Sequence, residues 1–285
     1  MSERVFIIGP GHVGRGLFRA FRASGVDVVG LHGKRASGVA TSTGNIPADA
    51  ARANVVIVCV RDPQLDAAIA EVSDAAADGR IARGTVVLHT SAIAEPGGLQ
   101  ALSATGIPGG TFHPLVPFSD PEVSAGLLHK GWIGIDGENA AKNASRRLAG
   151  HLGARTLEIP PGKKPAYHAA AVIASNFPVV LASVAGHLLH DLGIPDASAY
   201  QAVESLMTGA LANMKQMLPD DALTGPVVRG DADTLAKHLR ALHGHELPLE
   251  VYRSLSAAAV EIAQRRGVDQ KKLAAVAGLL RPSKT

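Results

Sequence analysis

The chain has 285 residues, of which 46% are hydrophobic and 19% charged, and its formal net charge is +3. This length predicts two domains that each bury a substantial core. The basic residues are scattered, which argues against a nucleic-acid surface, and the Lys163 and Lys164 doublet is expected on the solvated surface. The single cysteine, Cys59, excludes a disulfide framework. With no signal peptide before Val5, we expect a cytoplasmic protein.

A glycine-rich turn follows the first predicted element. Residues 5–9 form an apolar run that predicts a buried strand, and Gly9, Gly11 and Gly14 then have the G-x-G-x-x-G spacing ahead of a helical periodicity. Strand, turn and helix in this order predict a dinucleotide site, because the glycines admit a pyrophosphate and the helix N-terminus offers it N–H groups. A turn without a ligand is the alternative. The expected cofactor contacts are Gly9, Pro10, Gly11, His12, Val13 and Gly14.

The end of the second strand indicates which dinucleotide is bound. Residues 27–31 predict that strand, and Lys34 and Arg35 follow in place of the acidic residue that holds the ribose 2′-hydroxyl of NAD. Two cations suit a 2′-phosphate, which arginine can bind through paired hydrogen bonds. We therefore expect NADP(H) as the cofactor, and the alternative is a basic surface loop.

The next strands place polar residues at one edge of the predicted sheet. Apolar runs at residues 54–60 and 85–89 predict strands covered on both faces, and residues 109–112 lead into His113. Ligands of open α/β sheets bind at the carboxyl ends of the strands. His89 and His113 could each bind a ligand there or bond only to backbone, and we assign His113 to the substrate. The expected cofactor contacts at these ends are Val60, Thr90 and Ser91.

The sequence changes character near residue 160. Residues 132–136 and 155–159 predict two last strands with a helix between them, and Pro160, Pro161 and Gly162 then break the pattern. Beyond this break the periodicity stays helical. We therefore predict an α/β Rossmann-like doubly wound sheet over residues 1–160, followed by an all-α domain for substrate binding and dimerisation over residues 161–285.

The first helix of the second domain is predicted at residues 165–192. No acidic or basic residue occurs between Lys164 and Asp191, a length that would suit a membrane span. Its histidines and its proline, Pro178, favour instead a central helix that is buried within a soluble domain. Pro178 also predicts a kink, because proline removes one backbone donor.

A polar stripe lies just before that proline. His168, Ser175 and Asn176 share one helix face with Val172, and buried polar groups of this kind need partners. The partners could lie in a cleft against the nucleotide domain or on a neighbouring helix. We expect the cleft, which would make this stripe part of an active site.

The remaining helices are predicted at residues 198–217, 231–242, 246–266 and 269–279. The loop before the second of these contains Arg229, which we assign to a substrate carboxylate; it could equally tie the loop to a helix C-terminus. The histidines of the second half lack the spacing of a metal site, and we predict no metal.

Taken together, the motifs resemble a bacterial family that joins a Rossmann-like NADP-binding domain to a helical domain of unknown function. More distantly, the architecture is similar to pyrroline-5-carboxylate reductase, ketopantoate reductase and the β-hydroxyacid dehydrogenases. This resemblance implies hydride transfer from a reduced nicotinamide to a C=O or C=N group, and dimers built through the helical domains. The matching segments are G-P-G-H-V-G at 9–14, H-T-S at 89–91, H-P-L at 113–115, Y-H-A-A-A-V-I-A-S-N at 167–176 and T-G-P-V-V-R-G-D at 224–231.

One position departs from the distant relatives. The hydroxyacid dehydrogenases and ketopantoate reductases use a lysine and an asparagine four residues apart on the first helix of the second domain, as the resemblance implies. Here Asn176 is present, but Val172 stands where the lysine would be. We therefore expect Asn176 and Ser175 to act as hydrogen-bond donors and His168 to act as the proton donor, since an ordinary histidine titrates near neutrality.

The sequence thus predicts an NADP(H)-dependent oxidoreductase that reduces a small carbonyl or imine. The resemblance implies a carboxylate substrate such as a ketopantoate-like ketoacid, or a cyclic imine, and we expect a homodimer without nucleic-acid or membrane partners. A non-catalytic NADP-binding sensor or partner-binding protein is the alternative, which the missing lysine favours. A third reading keeps the reductase chemistry with a deazaflavin as the second redox partner.

Overall fold

The computed structural model of the chain describes residues 3–36, 38–94, 99–103 and 105–281. It divides into two compact units, one ending at Ser175 and the other beginning at Asn176. The division falls inside one long helix, whose first turns belong to the first unit. The domain boundary that we predict after residue 160 thus precedes the point where the compact units divide, and as a boundary between functional domains it stays a prediction.

The described part of the first unit alternates strands with helices, and short 3₁₀ turns lie at Ala48–Arg52 and Asp62–Gln64. The strands are β1 (Arg4–Ile8), β2 (Asp27–Gly33), β3 (Ser42–Thr43), β4 (Val55–Val58), β5 (Val86–His89), β6 (Gly109–Pro114), β7 (Trp132–Gly137) and β8 (Arg155–Glu158). The helices are α1 (His12–Ala23), α2 (Leu65–Ala77), α3 (Gln100–Ser103), α4 (Pro121–Leu128), α5 (Asn139–His151) and the start of α6 (Lys164–Asp191).

The strands form one sheet in the order β3-β2-β1-β4-β5-β6-β7-β8. Neighbouring strands are parallel except β6 and β7, which are antiparallel. Strand order reverses direction between β1 and β4, and such a switch point leaves a crevice at the carboxyl ends of the two strands. The predicted Rossmann-like sheet is confirmed.

Both faces of the sheet are covered, as its uninterrupted apolar strands predict. Val5 and Ile7 of β1 lie in one core cluster, while Phe6 and Ile8 lie in another, because successive side chains of a strand point to opposite faces. The helix residues that complete the two clusters include Leu17 and Leu148 on the first side, and Ile69 and Val72 on the second.

Helix α4 is an element that the periodicity did not reveal. Pro121 occupies its first turn, and the Asp120 carboxylate accepts hydrogen bonds from the N–H groups of Glu122 and Val123 at 2.7 and 3.2 Å. An acidic cap followed by proline is a helix-start signal. The short helix has only eight residues, too few to show a clear apolar stripe.

The second unit is helical throughout its described part. Asp231 and Asp269 cap two of its helices, since each carboxylate accepts a hydrogen bond from a backbone N–H three residues later at 3.0 Å. Its small core cluster contains Val227, Leu235 and Val260. The helices are the remainder of α6, α7 (Asp196–Met214), α8 (Pro219–Ala222), α9 (Pro226–Arg229), α10 (Ala232–Ala241), α11 (Glu246–Arg265) and α12 (Gln270–Leu280).

Helix α6 is not buried within the chain, and on this point the sequence prediction was wrong. Among the described residues it is the one helix long and apolar enough to cross a membrane by length and composition, with a mean hydropathy of 1.8 over its most apolar window. Only 6% of that window is buried. The absence of charged residues along α6 predicted that the helix is buried. Within a single chain, however, most of its side chains remain at least partly exposed.

Candidate functional site

The glycine-rich turn between β1 and α1 is closely packed on its neighbours. Gly9 has a φ of +106°, and a Cβ added there would lie 2.7 Å from the carbonyl oxygen of Cys59. A Cβ added at Gly14 would overlap the carbonyl oxygen of Gly9. Both positions therefore require glycine, the first for its backbone conformation and its contact with the end of β4, and the second for the close approach of α1 to the turn.

A cavity of about 510 Å³ opens beside this turn at the switch point of the sheet. A volume of this size is typical of small-molecule sites. The residue at the start of α1, Gly11, has no side chain to cap the helix, so the first N–H groups face outward and suit an anion. Five of the predicted cofactor contacts line the cavity: Gly9, Pro10, Gly11, Lys34 and Val60.

Other predicted contacts of the turn and of β5 already have protein partners. His12 donates from Nδ1 to the Phe118 carbonyl oxygen at 2.9 Å, and Val13 packs against the core. The Thr90 hydroxyl donates to the Val58 carbonyl oxygen at 3.5 Å. The Ser91 hydroxyl accepts hydrogen bonds from two backbone N–H groups. A cofactor role for these four residues stays a prediction.

The cationic end of the cavity contains a carboxylate that the local sequence did not reveal. Lys34 forms an ion pair with Glu71 of α2, and both residues line the cavity. Arg35 is exposed next to them. Glu71 lies 37 positions from Lys34 in sequence, so only the folded chain brings the two charges together. A 2′-phosphate would meet one paired and one exposed cation here.

A buried polar cluster lies at the carboxyl ends of β5 and β6. Lys164, the first residue of α6, is fully buried. Its Nζ donates to Thr111 Oγ1 at 2.6 Å and to the carbonyl oxygen of Ala94, and it lies 3.6 Å from Asp136 Oδ2. His89 Nε2 lies 3.4 Å from the same Thr111 hydroxyl. The prediction that Lys164 lies on the solvated surface was therefore wrong, because the start of α6 packs its side chain onto the sheet.

Above this cluster, three half-buried rings meet. The Tyr167 hydroxyl lies 2.8 Å from His113 Nδ1, and the rings of these two residues are nearly perpendicular. The His168 ring stands edge-on to His113 with 6.4 Å between centroids. The structure thus brings together His113 and His168, which the sequence assigned to substrate binding and proton donation.

His89 and His113, near the carboxyl ends of β5 and β6, are kept neutral mainly by burial and also by nearby positive charge. Desolvation is the main reason that the pKa of His89 is lowered to about 3, with smaller contributions from Lys164 and His113. Desolvation likewise lowers the pKa of His113 to about 4, with His168 and Lys164 adding to the effect and Asp62 opposing it. At neutral pH the two imidazoles of this cluster are therefore uncharged hydrogen-bonding groups, and Lys164 and Asp136 form its ion pair.

These shifted histidines predict that the folded protein loses stability in mild acid. Between pH 6.5 and about pH 4, His89 and His113 bind protons in the unfolded chain but stay unprotonated in the folded protein. The free energy of unfolding therefore falls as the pH falls. Each histidine contributes about 1 kcal/mol per pH unit over its window. Urea denaturation across this range measures the slope, and His113→Gln should make it shallower. An unchanged free energy of unfolding would contradict the buried, neutral imidazoles.

The other predicted site residues lie elsewhere. Ser175 and Asn176 are exposed on α6, and the division between the units falls between them. Arg229 is exposed at the end of α9 in the second unit. The described residues contain no group of three or more histidine, cysteine, aspartate or glutamate side chains that could hold a metal ion.

The chain is similar to one protein family and to several proteins of known structure. The model of the family described as Domain of unknown function (DUF2520) matches residues 132–280, just over half of the chain. No curated protein matches the sequence.

The similar solved structures cover almost the whole chain. Protein TM1727 from Thermotoga maritima is 22% identical with a TM-score of 0.69, covering 92% of this chain and 99% of its own. The proposed NADP oxidoreductase BF3122 from Bacteroides fragilis is 20% identical with a TM-score of 0.67, covering 90% and 98%. Pyrroline carboxylate reductase from Plasmodium falciparum, solved with NADP bound, is 10% identical with a TM-score of 0.62, covering 96% and 98%. At these identities the likeness shows a shared fold.

Proposed function

The chain belongs to the DUF2520 family, and from that membership and the site in its first unit we propose that it is an NADP(H)-dependent oxidoreductase. The observation that carries the proposal is the glycine turn beside a cavity of about 510 Å³ at the switch point of the sheet. Two solved structures of the same fold have NADP in their names, which supports the choice of cofactor.

The residues around the cavity fit a dinucleotide. Gly9 and Gly14 occupy positions that a Cβ would fill, and the bare start of α1 at Gly11 can donate N–H groups to a pyrophosphate. Lys34 and Arg35 would hold a 2′-phosphate, with Lys34 exchanging its present partner, Glu71.

The choice of NADP(H) is tested by removing both cations. Lys34→Ala with Arg35→Ala should weaken NADPH binding by about 1–3 kcal/mol and NADH binding far less, because only NADPH loses charge-assisted hydrogen bonds. Calorimetric titration with both cofactors measures the difference. A matched control, Arg52→Ala with Arg83→Ala, removes two exposed cations that do not line the cavity. Equal losses for the two cofactors would remove the 2′-phosphate assignment.

We propose that the reaction takes place at the carboxyl ends of β5 and β6. When bound, a reduced nicotinamide supplies a hydride to an electrophilic carbon of the substrate, whose oxygen or nitrogen also takes up one proton. His168 is the residue we propose for that proton, and His113 would bind the substrate beside it. Ser175 and Asn176 are proposed as further hydrogen-bond donors.

The substrate we propose is a small ketoacid or a cyclic imine that carries a carboxylate. The neutral imidazole of His113 can donate a hydrogen bond to a carboxylate or a developing oxyanion, while the charge of the nearby Lys164 is balanced by Asp136. Arg229 is a second candidate for the carboxylate. The name of the Plasmodium falciparum relative, a pyrroline carboxylate reductase, supports the imine class.

The function is tested by NADPH oxidation with a panel of ketoacids and cyclic imines. We expect at least one compound to be reduced, with loss of NADPH absorbance. Asn176→Ala should lower the rate while cofactor affinity stays nearly constant, because the amide is proposed to act on the substrate. A chain that binds NADPH but reduces no member of the panel would instead match a sensor.

We also propose that a second copy of the chain covers exposed apolar side chains of α6 and α7, giving a cytoplasmic homodimer with no membrane partner. Val179 and Leu206 are 70% and 75% exposed on these helices. Covering each large apolar side chain contributes about 1.5–3 kcal/mol. The other exposed large apolar residues of these two helices include Ile173, Phe177, Val180 and Leu211.

The dimer is tested by replacing exposed apolar residues of α6 and α7 with glutamate. Val179→Glu with Leu206→Glu should halve the mass measured by sedimentation, because two carboxylates cannot be buried in an apolar interface without partners. Leu127→Glu, at an exposed leucine of α4 in the first unit, is the control and should leave the mass unchanged. A wild-type chain that sediments as a monomer, or that binds neutral lipid vesicles through α6, would contradict the homodimer.

A further inference from the structure

We propose that His113 acts on the substrate as a neutral imidazole that donates a hydrogen bond from Nε2, and that Tyr167 is the positioning residue that fixes this tautomer. The proposal rests on the proposed reductase function and specifies how its substrate is bound. It assigns a role to Tyr167, which begins the matching segment 167–176 but was given no function from the sequence. A neutral imidazole is an effective donor to a carbonyl oxygen or a carboxylate in a dry site.

The contact between the two side chains is closely confined. Tyr167 Oη lies 2.8 Å from His113 Nδ1. His113 of β6 is paired directly with Gly134 of β7. A Cβ at Gly134 would overlap the Tyr167 hydroxyl, so glycine there provides the space in which the hydroxyl lies beside the imidazole. The hydroxyl is thus confined between the two strands and the imidazole.

We assign the direction of this hydrogen bond as running from the Tyr167 hydroxyl to His113 Nδ1, an arrangement that the protonation states of both groups allow. Burial raises the pKa of the Tyr167 hydroxyl, which therefore keeps its proton and can donate it. His113 is neutral, so one of its nitrogens has a lone pair and the other a proton. With the hydroxyl donating to Nδ1, the proton of the imidazole lies on Nε2. His113 then presents one fixed donor, because its other nitrogen is occupied.

The charged and titratable groups around His113 maintain this state. Lys164 below the ring and His168 beside it disfavour a second proton on the imidazole, and Asp62 favours one. His89 lies on the adjacent strand and is itself neutral. The balance keeps His113 uncharged at neutral pH, so its Nε2–H polarises a substrate oxygen without transferring its proton to it.

The tautomer can be measured without any turnover. Nitrogen NMR of the full chain with ¹⁵N-labelled histidine should show His113 protonated at Nε2 and bare at Nδ1 from mildly acid to neutral pH. Tyr167→Phe, which removes only the hydroxyl, should give a mixture of both tautomers. A cationic His113 at neutral pH, or one protonated at Nδ1, would overturn the proposal while leaving the reductase function intact.

The role in substrate binding is tested with replacement amides, using the compound that the NADPH panel identifies. The glutamine amide nitrogen can occupy the place of Nε2, whereas the asparagine amide corresponds to Nδ1. We expect His113→Gln to retain kcat/KM within about tenfold of wild type, and His113→Asn to lose about a hundredfold, a difference of about 1.4 kcal/mol or more.

The kinetics of Tyr167→Phe test whether Tyr167 positions His113. This substitution should lower kcat/KM by about tenfold or more with NADPH affinity unchanged, since the hydroxyl does not line the cofactor cavity. Equal rates for Tyr167→Phe and wild type would exclude the positioning role of Tyr167, and equal losses for the two His113 variants would exclude the Nε2 donor. A panel without any substrate would refute the reductase function, and with it the substrate role of His113, while the NMR result would still decide the tautomer.

Discussion

Replacing Gly14 with alanine is expected to weaken both the folding of the first unit and its binding of NADPH. The added methyl group would overlap the carbonyl oxygen of Gly9, so α1 would have to move away from the turn. Overpacking of this kind costs about 1–3 kcal/mol of folding free energy. The displaced helix would also carry its N–H groups away from the pyrophosphate, and NADPH affinity should fall by about a hundredfold or more.

Gly11→Ala separates binding from folding at the same turn. Gly11 has an extended backbone that alanine can adopt, and nothing lies within 4 Å of an added Cβ. Its free energy of unfolding should therefore stay within about 1 kcal/mol of wild type. The methyl group would occupy the space into which we place the pyrophosphate, so NADPH affinity should still fall by about tenfold or more.

Urea denaturation and calorimetric titration of both variants test this pair. Gly38→Ala, an exposed glycine with nothing within 4 Å of its added Cβ, is the control and should match wild type in both measurements. If Gly11→Ala bound NADPH as tightly as wild type, the pyrophosphate would not lie at the start of α1. If Gly14→Ala were fully stable, the close approach of helix and turn would not limit the fold.

Replacing Lys164 with methionine is expected to have the largest effect on stability. Methionine keeps most of the length of the side chain but removes the ammonium that faces Asp136 at 3.6 Å. Asp136 Oδ2 accepts no hydrogen bond within the described part of the chain, so the carboxylate would lose the charge opposite it. Breaking a buried ion pair from one side typically costs about 3–5 kcal/mol.

The double variant Lys164→Met with Asp136→Asn distinguishes an ion pair from simple packing. If the two groups act as a pair, the combined loss of unfolding free energy should be smaller than the sum of the single losses by about 1 kcal/mol or more. Urea denaturation of the four proteins gives this coupling directly. Strictly additive losses would mean that Lys164 does not stabilise the fold through Asp136.

The fold was largely predictable because its signals are local. Apolar runs of four to seven residues marked the central strands, and the glycine spacing identified the turn that packs on β4. Helices were predicted to begin at residues 231 and 269, and in the structure the carboxylates of Asp231 and Asp269 cap these two helices. Helix α4 was not predicted, because too few residues follow its start signal, Asp120 with Pro121, to show a helical periodicity.

The candidate site was less predictable because its partners are distant in sequence. Lys164 reaches Thr111, 53 positions earlier, and Lys34 reaches Glu71, 37 positions later. A lysine in a doublet gives no local sign of burial, since its apolar stem and its charge suit either environment. The sequence comparison with distant relatives concerned position 172 of α6, where a lysine is missing. The buried lysine of this helix is instead its first residue, Lys164.

The ion pair between Lys34 and Glu71 has a consequence for cofactor choice. A phosphate group that binds Lys34 must displace the carboxylate of Glu71. The free energy gained from the new ion pair is therefore reduced by the loss of the old one. An unphosphorylated ribose imposes no such exchange, and Glu71 is an acceptor for its hydroxyl group. In the proposed NADP(H) site, Glu71 would therefore reduce the difference between the affinities for NADPH and for NADH.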